Sequence, residues 1–216
     1  MTTPARSAPP PPKPVPKPGQ VKVFRALYHY QAQHRDELTF KEDDLLYVTD
    51  MKNKDWYTAR CGKKTGLIPS NYIEENMDRI DNPLHEASKR GNVDFLKESL
   101  DNLVSVNGLD KSGSTPLYWA SHGGHVECVK TLLAQPRVEV NSQNKIGDTA
   151  LHAAAWKGHA EVVRMLLAKG ARTNIKNKAD KIAQELAAKD PETAALLAPY
   201  TSRLDDEDYL NDEDSD

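Results

Sequence analysis

The chain has 216 residues, 29 Lys and Arg against 32 Asp and Glu, a formal net charge of −3, 14 prolines and two cysteines. That length holds one or two small domains. No run approaches the roughly 20 apolar residues of a spanning helix, and Met1-Thr2-Thr3-Pro4 opens no apolar leader, so a soluble intracellular protein without membrane attachment is expected. Cys61 and Cys128 fall in different units, which predicts two reduced thiols rather than a disulfide framework, and no Cys/His cluster has zinc-ligand spacing.

The modest total conceals a division. Eight of the 14 prolines lie in residues 1–18 and eight acids lie in residues 205–216. That last stretch has no Lys or Arg, and removing its eight negative charges from a net of −3 leaves +5. Residues 1–19, ending Pro9-Pro10-Pro11-Pro12-Lys13-Pro14-Val15-Pro16-Lys17-Pro18-Gly19, cannot pack a core and are expected to be disordered, as polyproline II or coil. Arg6-Ser7-Ala8-Pro9-Pro10-Pro11-Pro12 also fits a basic residue followed by a PxxP core, a ligand pattern for aromatic grooves; the alternative is a plain linker.

Over residues 20–76 the pattern changes to short runs rich in Tyr, Val, Ile and Leu, broken by polar clusters such as Asn53-Lys54-Asp55, which predicts a small all-β unit. Four motifs stand in order: Ala26-Leu27-Tyr28-His29-Tyr30, Asp36-Glu37-Leu38-Thr39-Phe40, Trp56-Tyr57 and Gly66-Leu67-Ile68-Pro69-Ser70-Asn71-Tyr72-Ile73. This series resembles the SH3 domain family. The resemblance implies a groove for proline-rich ligands built from Tyr28, Tyr30, Trp56, Pro69 and Tyr72, with Asn71 bonding a ligand carbonyl and Glu37, beside Asp36, pairing the ligand's Arg or Lys. Proline rings stack on flat aromatic surface, and a prefolded helix loses little entropy on binding. Two departures stand out: His29 replaces the family's usual aspartate, and Asp43 stands where a turn glycine is common.

After a connector expected at Asn76 to Ile80, one pattern recurs as Leu84-His85-Glu86-Ala87, Leu117-Tyr118-Trp119-Ala120 and Leu151-His152-Ala153-Ala154. The alanines are spaced by 33 and then 34, a glycine follows each by four residues, and a fainter copy places Ala187 another 33 on. Asn107, Asn141 and Asn174 keep the same beat. A period near 33 marks stacked turn-helix-helix units that bury a core only against their neighbours. Thr115-Pro116-Leu117 and Gly158-His159-Ala160-Glu161-Val162-Val163 resemble ankyrin repeats, giving three clear repeats and a degenerate C-terminal one over residues 81–199.

By the same resemblance His85 and His152 are structural residues of each first helix rather than metal ligands. Ser142, Asp148 and His152 have no strained nucleophile turn or oxyanion hole to make them a triad. The expectation is a protein that is not an enzyme, with no catalytic residue, cofactor or metal. Ankyrin proteins use the hairpin tips and the residues before the helix-breaking glycine for binding, which here marks Lys89, Arg90, Lys111, His122, Lys145, Ile146, Trp156, Lys157, Lys178, Lys181 and Lys189. Lysines that merely solvate the array are the alternative for the charged positions.

Residues 205–216 form a like-charge block, and residues 200–216 are expected to be a disordered acidic tail. Tyr209 in its acidic surround, Ser202 with Asp205 three residues on, and Ser215 fit phosphorylation patterns; a solubilising tail is the alternative. The whole reads as a multidomain chain: a small all-β SH3 barrel followed by an all-α ankyrin-repeat solenoid between disordered tails. That order resembles a family of signalling adaptors. It implies a monomeric cytoplasmic adaptor with proline-rich proteins at the SH3 groove, Src-type tyrosine kinases among the partners and a second protein on the ankyrin face. A regulator that masks a single target is the alternative, and nucleic acid is not expected as a partner because the acidic tail competes with phosphates.

Overall fold

The computed structural model describes residues 21–187 and 190–208, with only the backbone course given for residues 200–208. The proline-rich arm, Lys189, Tyr209, Ser215 and the side chain of Ser202 lie outside this description.

Five strands form one antiparallel sheet in the order β4-β3-β2-β1-β5: β1 (Lys22–Ala26), β2 (Leu45–Asp50), β3 (Trp56–Cys61), β4 (Lys64–Pro69) and β5 (Met77–Ile80). Phe24, Ala26, Leu38, Phe40, Leu46, Val48, Ala59 and Ile68 fill its interior, with Ile73 of helix α1 (Ser70–Asn76) closing one end. Residues 76–80, expected as a connector, are instead the end of α1 and β5. Met77 through Ile80 pair with Ala26 back to Val23, and so brief a strand, with charged Asp78 and Arg79 at its centre, carries no apolar run that marks it in the sequence. Asp43 has φ 66°, the left-handed turn conformation for which glycine is common, and Asp is among the few other residues that adopt it readily.

Four helix pairs follow: α2 (Pro83–Arg90) and α3 (Val93–Asp101), α4 (Pro116–Gly123) and α5 (Val126–Leu133), α6 (Ala150–Lys157) and α7 (Ala160–Ala168), α8 (Ala183–Leu186) and α9 (Pro191–Asp208). Proline at the first turn of α2 and α4 costs nothing, because its missing N–H has no intrahelical partner there. Thr115 and Thr149 cap α4 and α6 by accepting the amides of Tyr118 and His152. Ala87, Ala120, Ala154 and Ala187 are all 0 % exposed. Their beat marks the positions where stacked units come closest and a larger side chain would overpack the core. Leu96, Val129 and Val163 repeat the same burial on the second helices.

The asparagine beat has a mechanical meaning. Asn107 donates to the carbonyl of Arg137 and accepts the amide of Glu139, and Asn141 bonds Gly170 and Arg172 in the same way. Each carboxamide thus satisfies two backbone groups of the following unit. The hairpin tips are tied by Lys145 N–H to Ser112 C=O and Lys178 N–H to Ile146 C=O, both at 3.0 Å. His85 and His152 lie 3 % and 1 % exposed, and their Nε2 atoms reach carbonyls of the next tip, Ser114 at 2.9 Å and Lys181 at 3.1 Å. Burial lowers the His85 pKa, which keeps the ring neutral. The expected change from array to tail at residue 200 falls inside a helix, since α9 continues to Asp208.

Helix α3 ends in a Schellman turn: Leu103 N–H bonds Leu100 C=O and Val104 N–H bonds Ser99 C=O. Leu103 adopts φ 63° there, whereas the matching position after α7 is Gly170 at φ 86°. A left-handed leucine is strained by about 1–2 kcal/mol. Leu103→Gly is therefore expected to stabilise the protein by about 1 kcal/mol, read as a higher denaturation midpoint; a lower midpoint refutes the strain.

The sheet and the array meet along a seam. Leu46, Tyr47 and Val48 are all buried, so both faces of β2 are covered. Leu46 and Val48 belong to the barrel interior, while Tyr47, 0 % exposed, directs its hydroxyl toward Ser99 and Glu98 of α3. Burial raises the pKa of both Tyr47 and Glu98, as removal from water disfavours their charged forms. A cleft of about 390 Å³ lies along the same junction, between Val23 and Ile80 of the sheet and Leu84, His85 and Val104 of the first repeat.

Candidate protein-interaction sites

The SH3 unit carries a groove of about 430 Å³ lined by Tyr30, Trp56, Pro69, Asn71, Tyr72 and Glu75 among others. Cross-strand pairing sets Trp56 opposite Pro69, and α1 then supplies Asn71 and Tyr72 from its first turn. Tyr30 stacks on Phe40, with centroids 5.5 Å apart, and meets Tyr72 edge-on at 5.0 Å. Tyr72 Oη donates to the carbonyls of Tyr28 and His29 at 3.3 and 3.1 Å, fixing the ring, while the Tyr28 side chain is 61 % exposed. Trp56 also lines an adjoining pocket of about 310 Å³ with His34, Asp36, Glu37 and Leu67. The arrangement offers flat aromatic surface on one side of Trp56 and acids on the other.

The two acids are not equivalent. Glu37 was expected to pair a ligand cation, yet its side chain is only 4 % exposed. Its Oε2 accepts Gln33 N–H at 2.7 Å and Tyr30 Oη at 3.0 Å. These bonds, that from Gln33 first, hold its pKa below the usual carboxylate value, while burial first, and then the bond to Glu37, push Tyr30 up to about 12. Asp36 is exposed in the same pocket. The sequence placed the carboxylates side by side and could not show which one the loop consumes. Glu75, one turn beyond Tyr72 on α1, and His34 were missed; the i, i+3 spacing from Tyr72 was the available signal for Glu75.

Asp36→Asn is expected to weaken an Arg-bearing PxxP peptide about threefold at low salt, with the loss shrinking as salt rises. Glu37→Ala, by freeing the loop, is expected to weaken the peptide equally at all salt concentrations. Peptide titrations at two ionic strengths check both, and the reverse pattern would make Glu37 the ligand's partner.

On the array, the marked residues separate into two groups. Lys111, Lys145, Ile146, Lys178 and Lys181 lie on the hairpin tips with exposed side chains, Ile146 58 % exposed. Lys181 pairs with Glu185 at 3.5 Å. The second group converges near the ends of the first helices. Lys89 Nζ lies 4.4 Å from the Trp119 ring centroid, the His122 ring is 5.7 Å from both Trp119 and Trp156, and Lys157 Nζ lies 4.3 Å from Trp156. Trp156 is 50 % exposed. Arg90 is not part of this line, being paired with Glu86 at 3.4 Å.

Trp119 was missed because it sits three residues earlier in its helix than the position marked for binding. Its Nε1 donates to Asp110 Oδ2 at 2.7 Å. Asp110 Oδ1 also accepts the amides of Ser112 and Ser114. Burial opposes ionisation of this carboxyl, but the bonds from Ser112, Trp119 and Ser114 outweigh it and bring the pKa to about 2. Burial lowers the pKa of His122, with the Lys157 charge adding to the effect.

Among the described residues no group of three or more His, Cys, Asp or Glu side chains could hold a metal ion, and no helix is long and apolar enough to cross a membrane. The SH3 domain family model matches residues 25–70, and the ankyrin-repeat model matches residues 71–177 in three copies. An SH3 groove joined to an ankyrin array defines a protein built from interaction modules. The chain is 58 % identical to osteoclast-stimulating factor 1 of Mus musculus over 214 residues, covering 96 % of this chain and 99 % of that protein. The proteins of the same name from Xenopus laevis and Danio rerio are 59 % and 54 % identical, again over 96 % of this chain and 99 % of theirs. The chain belongs to the osteoclast-stimulating factor 1 family.

Proposed function

We propose that this protein is a non-enzymatic cytoplasmic signalling adaptor that holds a proline-rich protein in the SH3 groove and a second protein on the ankyrin face. As the name of its relatives suggests, it promotes osteoclast formation, and it acts on bone resorption indirectly through signalling. Src-type tyrosine kinases are among the proposed partners. The observation that carries the reading is the pairing, in one chain, of an aromatic groove beside an exposed acid with a separate exposed aromatic and cationic line on the array.

The test is capture on an immobilised PxxP peptide carrying Arg, with crosslinking of whatever the array holds. An adaptor retains its second partner while the peptide occupies the groove. Trp156→Ala keeps the peptide and loses that partner. A protein that masks one target would release it when the peptide binds, and that outcome overturns the adaptor reading.

A further inference from the structure

We propose that the line Lys89, Trp119, His122, Trp156 and Lys157 is a binding site for an acidic peptide segment with an apolar side chain between its acids. This rests on the ankyrin face being a partner surface and adds the partner's chemistry. Lys89, His122 and Trp156 occupy one position in three successive units, 33 and then 34 residues apart, so they run along the array rather than around one helix. Trp119 and Lys157 complete a continuous strip from the end of α2 to the end of α6.

The chemistry follows from what each group lacks. Lys89 and Lys157 rest on indole faces at 4.4 and 4.3 Å, and among the described residues neither has a carboxylate within 4.0 Å. The nearby acids are engaged elsewhere, Glu86 by Arg90 and Asp110 by Trp119, Ser112 and Ser114. A ring quadrupole attracts an ammonium but does not neutralise it, so each lysine can still take a ligand carboxylate. An indole wall on one side limits competing water and strengthens the pair. Between the lysines the surface is aromatic. His122 fills the space between Trp119 and Trp156, and burial together with the Lys157 charge favours its neutral form. Half-exposed Trp156 leaves flat apolar area for a leucine or aromatic side chain. Two cations flanking an aromatic centre match a short segment with acids on both sides of one apolar residue. A long polyanion gains its affinity from many phosphate contacts, and this strip provides two cations that are unpaired among the described residues.

The experiment titrates the full chain with a fluorescein-labelled heptapeptide of three acids, one leucine and three acids. Saturable binding is expected, weakening with salt. Trp156→Ala and the double change Lys89→Ala with Lys157→Ala should each lower affinity about tenfold. Absence of saturation overturns the proposal, as does equal binding of a peptide with serines for the acids. Equal or tighter binding of a ten-nucleotide oligothymidine, abolished by the same substitutions, makes the strip a nucleic-acid site instead. If the peptide fails while Trp156→Ala still removes the crosslinked second partner, the partner surface stands and its acidic chemistry falls. Failure of both removes the surface as well.

Discussion

Trp56→Lys is expected to lower affinity for an Arg-bearing PxxP peptide by about 30-fold or more, the effect of losing a central aromatic hot spot. Trp56 lines both the groove of about 430 Å³ and the acid pocket of about 310 Å³, so one indole supplies the stacking surface and separates it from the charge. Lysine removes that surface and places a cation where the cation of the proposed ligand would bind. The fold should survive, because the residues that close the barrel beneath, Ala59 and Ile68, are untouched and the backbone pairing with Pro69 remains. Fluorescence anisotropy gives the affinity and circular dichroism the fold. Unchanged affinity in a folded variant would remove the groove from the site.

His152→Ala is expected to cost about 3 kcal/mol of stability, combining a buried cavity with unpaired polar groups. The ring is 1 % exposed and acts in two directions. Its Nε2 donates to the carbonyl of Lys181, 29 residues on, which leaves Nδ1 to accept from Thr149 N–H at 3.2 Å and Thr149 Oγ1 at 2.8 Å. The substitution thus removes the reciprocal half of the capping box at the start of α6, leaving the Thr149 cap itself, together with a tie to the last unit. Since array stability is a sum over neighbours, unfolding in denaturant should separate into two steps, with the last unit released first. A loss below about 1 kcal/mol would show that the next tip does not depend on this histidine.

Much of the fold was legible because its constraints repeat or stand in a fixed order. Ala87, Ala120, Ala154 and Ala187 announce close packing, and Asn107 and Asn141 recur because each must bond backbone of the following unit. The groove aromatics are held by strand pairing, which the four motifs already order. What escaped depends on contacts that no spacing or motif specifies. β5 is a strand because β1 offers it a partner some 55 residues earlier in the sequence. Glu37 and Asp36 differ only in which carboxylate Gln33 and Tyr30 capture. Trp119 joins the aromatic line through His122 of its own helix and Lys89 of the preceding unit.

Tyr47 is buried where the barrel meets α3 of the array. A flexible tether would let two bound proteins sample many separations, and their mutual effective concentration would be set by chain entropy. A tyrosine buried against α3 would narrow that distribution of spans and angles. Two partners, or two motifs of one partner, would then be selected for their mutual reach as well as for what each surface recognises. A bivalent ligand whose spacer matches the span gains strongly, and one that is too short gains nothing, however well each end fits alone.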